Sequence, residues 1–424
     1  MVSTELYLSD ASLFYKRFVD LIGANNWHDR VKQCKAEIVG NEQLRQHLEH
    51  ENEVAFGLVE LEDLVEQCGH HVPSEYLERD GLLPVIAFMA QIMSLCESTS
   101  HEEANRLVRR VHGAFKNPDD MRGLRLELTT ASHFTRKGYK VHWPESPADN
   151  RPIFDLLIED IGNGGLEVEC KAVSDNKGRR VHQREAIELQ SLLLPRLKAV
   201  TQAGFGEGLS IVLTLANRLP TAFAARRLLV DQVICAVHEG AKDSALNDGS
   251  HISVRLFDPS VITQAQLNDR HTLRQLMDKI SGTTNRESML LGSLSGGAIL
   301  STIQSCAEDD FKDAVLETAK DAAKRQLTKA RAGFVLMSLD GLDYDQLQSI
   351  GEDDKTGRPS KLHQVAQEFL SSTSRSHVVG ISFTSRSSVR SSHRGVIDTG
   401  GSAYYFYNRQ SPFWHPDFEK LFKA

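Results

Sequence analysis

The sequence predicts an α/β (α+β) protein, with an all-helical N-terminal region followed by a mixed sheet flanked by helices. Three observations lead there. Apolar residues recur at helical spacing through residues 1–117. A glycine-rich turn, Gly162-Asn163-Gly164-Gly165, joins an apolar run to an alternating one, as in a β-hairpin. Strand-like and helix-like stretches then follow one another towards the C-terminus.

In the N-terminal region the spacing predicts helices over 11–22, 42–68, 82–96 and 102–115, separated by turns such as Gly23-Ala24-Asn25-Asn26. Asn117-Pro118-Asp119-Asp120 punctuates the chain and supplies an N-cap, so a domain boundary is expected at 117. The next helix, over 121–137, places Leu124, Glu127, Leu128, Ala131 and Phe134 on one stripe. Glu127 is the acid on that apolar face. It is either a buried, paired or metal-binding group, or an acid at the stripe edge bridging to Arg125 or a nearby lysine.

A short strand is expected over 139–143. Phe154–Ile158 is apolar except for Asp155, as in a buried strand. Leu166–Val173 alternates, with Glu167, Glu169 and Lys171 on one face and Leu166, Val168, Cys170 and Ala172 on the other. Folding the chain about Asn163–Gly164 sets Asp155 opposite about position 172, beside Lys171 and within reach of Glu169. Two acids and a lysine on apolar strands carry a large desolvation cost. A hard divalent cation offsets it, because carboxylate oxygens are its preferred ligands. One or two carboxylates plus water is a typical Mg²⁺ site for phosphate chemistry. The bland alternative is a surface strand whose charges face water.

Beyond the hairpin, Lys177, Arg179 and Arg180 lie in a polar stretch that suits either phosphate contacts or a solvated loop. A helix over 180–199 carries Gln183, Ile187, Gln190 and Leu194 on one face. Strands over 209–215 and 252–257, around a helix over 222–238, are expected to extend the sheet. Residues 259–329 read as mostly helical and irregular. The run from Gly292 to Gly297 reads as a plain turn, because it lacks the Gly-Lys-Ser/Thr ending of a phosphate loop. Strands follow over 334–340, 377–383 and 404–407. The span 371–396 has no acid but holds Arg375, Arg386, Arg390 and Arg394 among serines, the make-up of a phosphate-contacting segment or of a flexible polar loop.

Asp155, Glu169-Cys170-Lys171 and an upstream helix carrying Glu127 resemble the PD-(D/E)xK nuclease superfamily, with its restriction-endonuclease-like fold. One departure is that Phe154, rather than the proline common in the superfamily, precedes Asp155. The resemblance implies a helix, a three-stranded meander, a second helix and a further strand. It places a nuclease-like core over 118–260, between the helical region 1–117 and a C-terminal α/β extension over 261–424 that continues the core sheet or packs on it. It implies a metal-dependent endonuclease-type phosphodiesterase. Asp155, Glu169 and the Cys170 carbonyl would hold Mg²⁺ or Mn²⁺, Lys171 would sit by the attacking water, and Glu127 would be an outer ligand or help place a second ion. Gln183 falls where members often carry a glutamine, though an ordinary polar residue of a first helical turn reads the same. Nucleic acid is the implied partner, DNA before RNA, in restriction, repair or defence. Lys177, Arg179, Arg180, Arg386 and Arg390 are the candidate contacts. The competing reading is a non-catalytic scaffold that binds nucleic acid or protein. The N-terminal helices could then serve as a partner-binding or dimerising module.

Composition sets the bounds. A chain of 424 residues suggests two or three domains, and 40% hydrophobic with 25% charged residues is ordinary for a globular protein. A net charge of −8 excludes a protein that coats nucleic acid through bulk positive charge, so any contact must be local. The cysteines show no Cys-x-x-Cys or zinc spacing, which points to reduced thiols and a cytoplasmic setting. No signal peptide or membrane span is expected. No Gly-x-Ser-x-Gly elbow, His-Glu-x-x-His or dinucleotide fingerprint is present.

Overall fold

The computed structural model describes residues 11–69, 72–77, 82–144, 153–201, 206–240, 242–262, 270–284, 286–292, 296–385, 388–391, 397–400 and 402–421. The helices, in chain order, are α1 (Ala11–Ile22), α2 (Asn25–Gly40), α3 (Arg45–Glu51), α4 (Glu53–Cys68), α5 (Ser74–Leu77), α6 (Leu82–Ser98), α7 (His101–Ala114), α8 (Pro118–Arg136), α9 (Gln183–Thr201), α10 (Phe223–His238), α11 (Arg270–Ser281), α12 (Phe311–Arg325), α13 (Tyr344–Thr356) and α14 (Lys361–Leu370). The strands are β1 (Val141–His142), β2 (Leu156–Ile158), β3 (Leu166–Val173), β4 (Gly208–Leu215), β5 (Asp243–Ala245), β6 (His251–Phe257), β7 (Arg286–Gly292), β8 (Ala298–Ser305), β9 (Ala332–Leu339), β10 (Val378–Ser385), β11 (Ser388–Ser391), β12 (Ile397–Gly400) and β13 (Ala403–Tyr407).

Two compact units result. One gathers the described residues within 1–36, 48–177 and 312–424, the other those within 37–47 and 178–311. In the first, α6 is apolar nearly all round and is buried accordingly, with Leu82, Val85, Ile86, Met89 and Ile92 in the core. The single helix expected over 42–68 is broken between α3 and α4 by Asn52. Asn52 has non-helical dihedrals, donates to the Leu48 carbonyl (2.8 Å) and accepts from Arg30 Nε (2.6 Å). Ser100 and Glu103 form a reciprocal capping box on α7. The Asn117 side chain accepts from the Asp119 N–H, and Pro118 takes the first position of α8.

No boundary falls at 117. Met121, Leu124 and Leu128 of α8 are buried in one core with Phe18, Trp27, Leu58 and Phe88 of the N-terminal helices. One turn further on, Ala131 and Phe134 are buried with Leu156, Val168, Phe334 and Val379 of the sheet. The same helix therefore serves two cores, and the N-terminal region, apart from 37–47, is part of the unit that holds β3 and β9.

That sheet runs β1-β2-β3-β9-β10-β13. β1 to β3 form an antiparallel meander, with Leu156 paired to Val168 and Ile158 to Leu166. β9 then pairs in parallel with β3, from Leu166↔Ala332 to Val173↔Leu339, β10 pairs in parallel with β9, and β13 closes the edge antiparallel. Parallel neighbours need crossover connections. Helix α12 lies on the connection into β9, and α13 and α14 on that into β10.

The expected core of 118–260 is thus redrawn. The strand over 209–215 does not join β3, and its place is taken by β9. Instead it is β4, the centre of the second unit's sheet, ordered β5-β6-β4-β8-β7. Its core joins Ala186, Leu189 and Leu193 of α9 to Ile211, Leu213, Val233, Ile252, Ile299 and Ile303. Within 259–329, where little strand was expected, β7 and β8 pair antiparallel from Arg286↔Gln304 to Gly292↔Ala298, and residues 293–295 of the glycine-rich run lie outside the described residues. The Ser301-Thr302 pair in β8 masked a buried strand, and both residues are almost fully buried. The long segment of the second unit, 178–311, begins and ends at one place. The Asp310 N–H donates to the Gly178 carbonyl (2.8 Å), and a Cβ on Gly178 would lie 2.9 Å from the Asp310 backbone. With φ +76°, that position suits glycine on both counts.

Leu128→Ala, at a fully buried position, is expected to cost about 3 kcal/mol. A denaturant midpoint shift at unchanged m-value would read it. A loss below about 0.5 kcal/mol would show that α8 does not tie the helical core to the sheet.

Candidate active site

The β2–β3 hairpin brings the acids together, by a register different from the expected one. The turn closes between Ile161 and Gly165, where the Gly165 N–H donates to the Ile161 carbonyl (3.2 Å) and Gly162 and Gly165 have positive φ. Its centre lies earlier than Asn163–Gly164. Extending the Leu156↔Val168 pairing by one residue sets Asp155 across from Glu169, not position 172. The Cys170 N–H donates to Asp155 Oδ2 (2.8 Å), which anchors the carboxylate at the start of β2.

β3 carries its charged residues inside the protein. Glu167 and Glu169 are both fully buried, while Lys171 is half-buried. They serve different ends. Glu167 accepts from the Thr328 N–H (2.8 Å) and the Thr328 hydroxyl and lies 3.4 Å from Arg331 Nε, so it fastens the loop before β9. Glu169 faces Asp155, with Lys171 Nζ 2.5 Å from its Oε1. Both Glu169 oxygens are buried without a well-formed hydrogen bond.

Glu127 joins from α8. It is 6% exposed, and its partner is Arg110 of α7, not Arg125 or a lysine. Arg125 is engaged with Glu53. Periodicity marked Glu127 as the odd acid on an apolar stripe. Arg110 flanks Leu107 and Val111 on its own helix and gave no comparable signal.

The electrostatics show the strain of this grouping. Burial first, and then the Asp155 charge, push Glu127 up to about 8 against Arg110 and Lys171. Burial, Asp155 and Glu127 push Glu169 up to about 8 against Lys171. Burial also raises Asp155, opposed by the Cys170 N–H, Lys171 and Arg110. Asp155 and Glu169 are close enough to share a hydrogen bond when Glu169 keeps its proton. Burial and the three acids hold the Cys170 thiol far above its ordinary range, and its Sγ turns to Thr130 Oγ1 at 3.8 Å. The oxygen that Cys170 can offer is therefore its backbone carbonyl.

The other expected contacts are dispersed. Gln183 opens α9 in the second unit, where it meets His47 Nδ1 at 3.0 Å; the first unit's own helix between β3 and β9 is α12. Arg180 is tied to Asp310 (2.5 Å) and the Glu308 carbonyl, and Arg179 lies 3.8 Å from Glu287. Acids of the same unit thus engage both arginines. Lys177 ends the first unit's central segment, its N–H donating to the Ser174 carbonyl. Arg390 stands on β11 opposite Asp398, and Arg386 lies outside the described residues.

A cleft of about 310 Å³ runs along α8 beside the cluster, and nothing in the sequence announced it. Thr130 and Ala172, neighbours of Cys170 and Lys171, line it together with Arg122, Arg125 and Arg136. Arg122 is held by Glu51 (2.7 Å) and Arg125 by Glu53. Among the described residues Arg136 has no carboxylate partner.

Comparison with protein-family models, curated proteins and solved structures finds no match. Among the described residues, no group of three or more His, Cys, Asp or Glu side chains forms a ready cage for a metal ion, and no helix is long and apolar enough to cross a membrane. Arg110 and Lys171 stand against the acids instead. What the donors fit is a hard cation: buried carboxylate oxygens lacking hydrogen bonds, beside a backbone carbonyl, are oxygen ligands of the kind such ions take.

Glu127 and Glu169 hold protons in the folded chain up to about pH 8, whereas unfolded they lose them near 4.5. The native state thus binds more protons across that interval, and stability must fall as pH rises towards 8. His133 and His377, both lowered from 6.5, act only below that value. In EDTA, the unfolding free energy is therefore expected to decline between pH 6.5 and 8, by up to about 1.4 kcal/mol per pH unit for each proton. Glu169→Gln should remove one proton's share of the slope; an unchanged slope would exclude Glu169 as a proton holder.

Proposed function

We propose that the chain is a metal-dependent nuclease that hydrolyses phosphodiester bonds, with DNA as the first substrate to test. The observation that carries this reading is that the buried acids Glu127, Asp155 and Glu169, from three elements, act on one another electrostatically, with Lys171 Nζ 2.5 Å from Glu169. The topology supports it as well. With the second unit set aside, the order is helix α8, meander β1–β3, helix α12 and parallel strand β9, the order that the PD-(D/E)xK resemblance implies.

Asp155, Glu169 and the Cys170 carbonyl would hold Mg²⁺ or Mn²⁺. Such an ion supplies Lewis-acid polarisation of a phosphate and lowers the pKa of a coordinated water. The protein's own groups do the rest. Asp155 is oriented by the Cys170 N–H, so its free oxygen is presented in one direction. Lys171 keeps part of its surface and can meet the negative charge that grows on phosphorus oxygens during attack. Thr130 and Ala172 place the wall of the α8 cleft next to these groups, where a substrate can approach. Processing of foreign or damaged nucleic acid is the setting that the resemblance suggests.

A second reading, a non-cutting scaffold, has one observation in its favour. Arg110 and Lys171 already offset much of the acids' charge without a metal.

Plasmid, single-stranded DNA and RNA, each with Mn²⁺, Mg²⁺ or EDTA, separate the two. Metal-dependent cleavage is expected, reduced by on the order of 100-fold or more in Asp155→Ala and Lys171→Ala. Glu167→Gln, on the same face of β3 but engaged with Thr328, should keep its activity. Full activity in both the Asp155 and Lys171 variants would remove the cluster from the chemistry.

A further inference from the structure

We propose that the cleft along α8 is a binding site for one nucleoside monophosphate. The site goes beyond the nuclease reading and needs no metal.

The cleft exists because a row of small residues crosses the sheet. The register sets Ala172 of β3 beside Ser338 of β9, Ser338 beside Thr384 of β10, and Thr384 beside Ala403 of β13. All four line the cleft. Little side-chain bulk stands on this row, so space remains between it and α8. One row earlier Cys170 pairs with Leu336, and both are buried with Ala131 of α8. The facing wall is one stripe of α8, in which Arg122, Leu126, Thr129, His133 and Arg136 follow at three- and four-residue spacing. By the helical rise, Arg122 and Arg136 lie roughly 21 Å apart along the axis. The volume, about 310 Å³, is at the small end of the range for small-molecule sites, roughly 300–1,000 Å³. It suits one compact ligand and not a duplex.

Charge selects that ligand. Three arginines and three carboxylates, Glu51, Glu53 and Asp340, line the cleft. Arg122 is held by Glu51 (2.7 Å) with Asp340 3.8 Å away, and Arg125 is engaged with Glu53. Arg136, exposed at the other end of the stripe, has no carboxylate partner among the described residues. The cleft therefore takes one anionic group, at Arg136, and its acids repel a polyanion at the far end. A phosphate suits the guanidinium fork. Between the two ends, Thr129 and Ser338 line opposite walls. Both are half-buried, and among the described residues neither hydroxyl makes a hydrogen bond, so both can meet sugar hydroxyls. At the far end Arg122 donates and Asp340 accepts, close to Met121. Paired donors and acceptors beside apolar surface are what the edge and face of a heterocyclic base require.

Isothermal titration of the full chain in EDTA tests this, with AMP, GMP, CMP and UMP as probes. One nucleotide per chain is expected for at least one of the four. Its nucleoside should bind more weakly, and inorganic phosphate should give no heat. Arg136→Gln should weaken the monophosphate by about tenfold or more and leave the nucleoside unchanged. Ser338→Leu, which fills the row, should abolish both. Should that variant not fold, Thr129→Leu on the opposite wall takes its place. No binding of any monophosphate overturns the site. Inorganic phosphate bound as tightly as the nucleotide reduces it to an anion contact at Arg136 and overturns it too. A triphosphate bound more tightly than its monophosphate contradicts the single-anion argument, and binding that survives both Arg136→Gln and the filled wall puts the ligand elsewhere. Because no metal is present, failure here leaves the nuclease reading standing, and absence of Mn²⁺-dependent cleavage leaves this site standing.

Discussion

Three carboxylates share one desolvated point at the β2–β3 junction, and much of the surrounding structure answers that constraint. Like charges taken out of water raise one another's proton affinity, so such a group persists only with compensation. Here it comes from a backbone N–H at Cys170, an ammonium on the same strand and a guanidinium from a neighbouring helix. Glu167 shows what an ordinary buried acid on this strand looks like. It is as deeply buried, but a hydroxyl, an N–H and a guanidinium meet it, and its role ends there. Glu169 lacks partners of that quality.

Helix α8 explains how such a point stays in place. Its first half is locked into the helical core and its second half into the sheet core. Glu127 lies where the two meet, between Leu124 and Leu128 on one side and Ala131 on the other. A rigid support on both sides keeps an acid buried that would otherwise turn to water. The same arrangement makes the N-terminal helices part of the site's construction, since α7 and α8 are joined by a three-residue link and carry the two halves of one ion pair.

What could be read from the sequence was local. The hairpin, the odd acid on α8 and the charged alternation of β3 are all patterns within about twenty residues. The turn centre was misjudged because Gly162, Gly164 and Gly165 offer several places for positive φ, and only the pairing selects among them. The partner of β3 was out of reach for a different reason. Leu209–Leu215 and Phe334–Leu339 are both short apolar runs, and periodicity contains nothing to say which of them lies beside Glu169. The nearer run folds with its own neighbours, and the true partner comes some 160 residues later. Arg110 escaped because a contact between helices is set by their packing and leaves no mark on either one alone.

The narrow neck at Gly178 and Asp310 has an evolutionary consequence. The segment 178–311, whose two ends meet across one hydrogen bond, could change in length without altering the β3–β9 register, provided that its packing with 37–47 is kept.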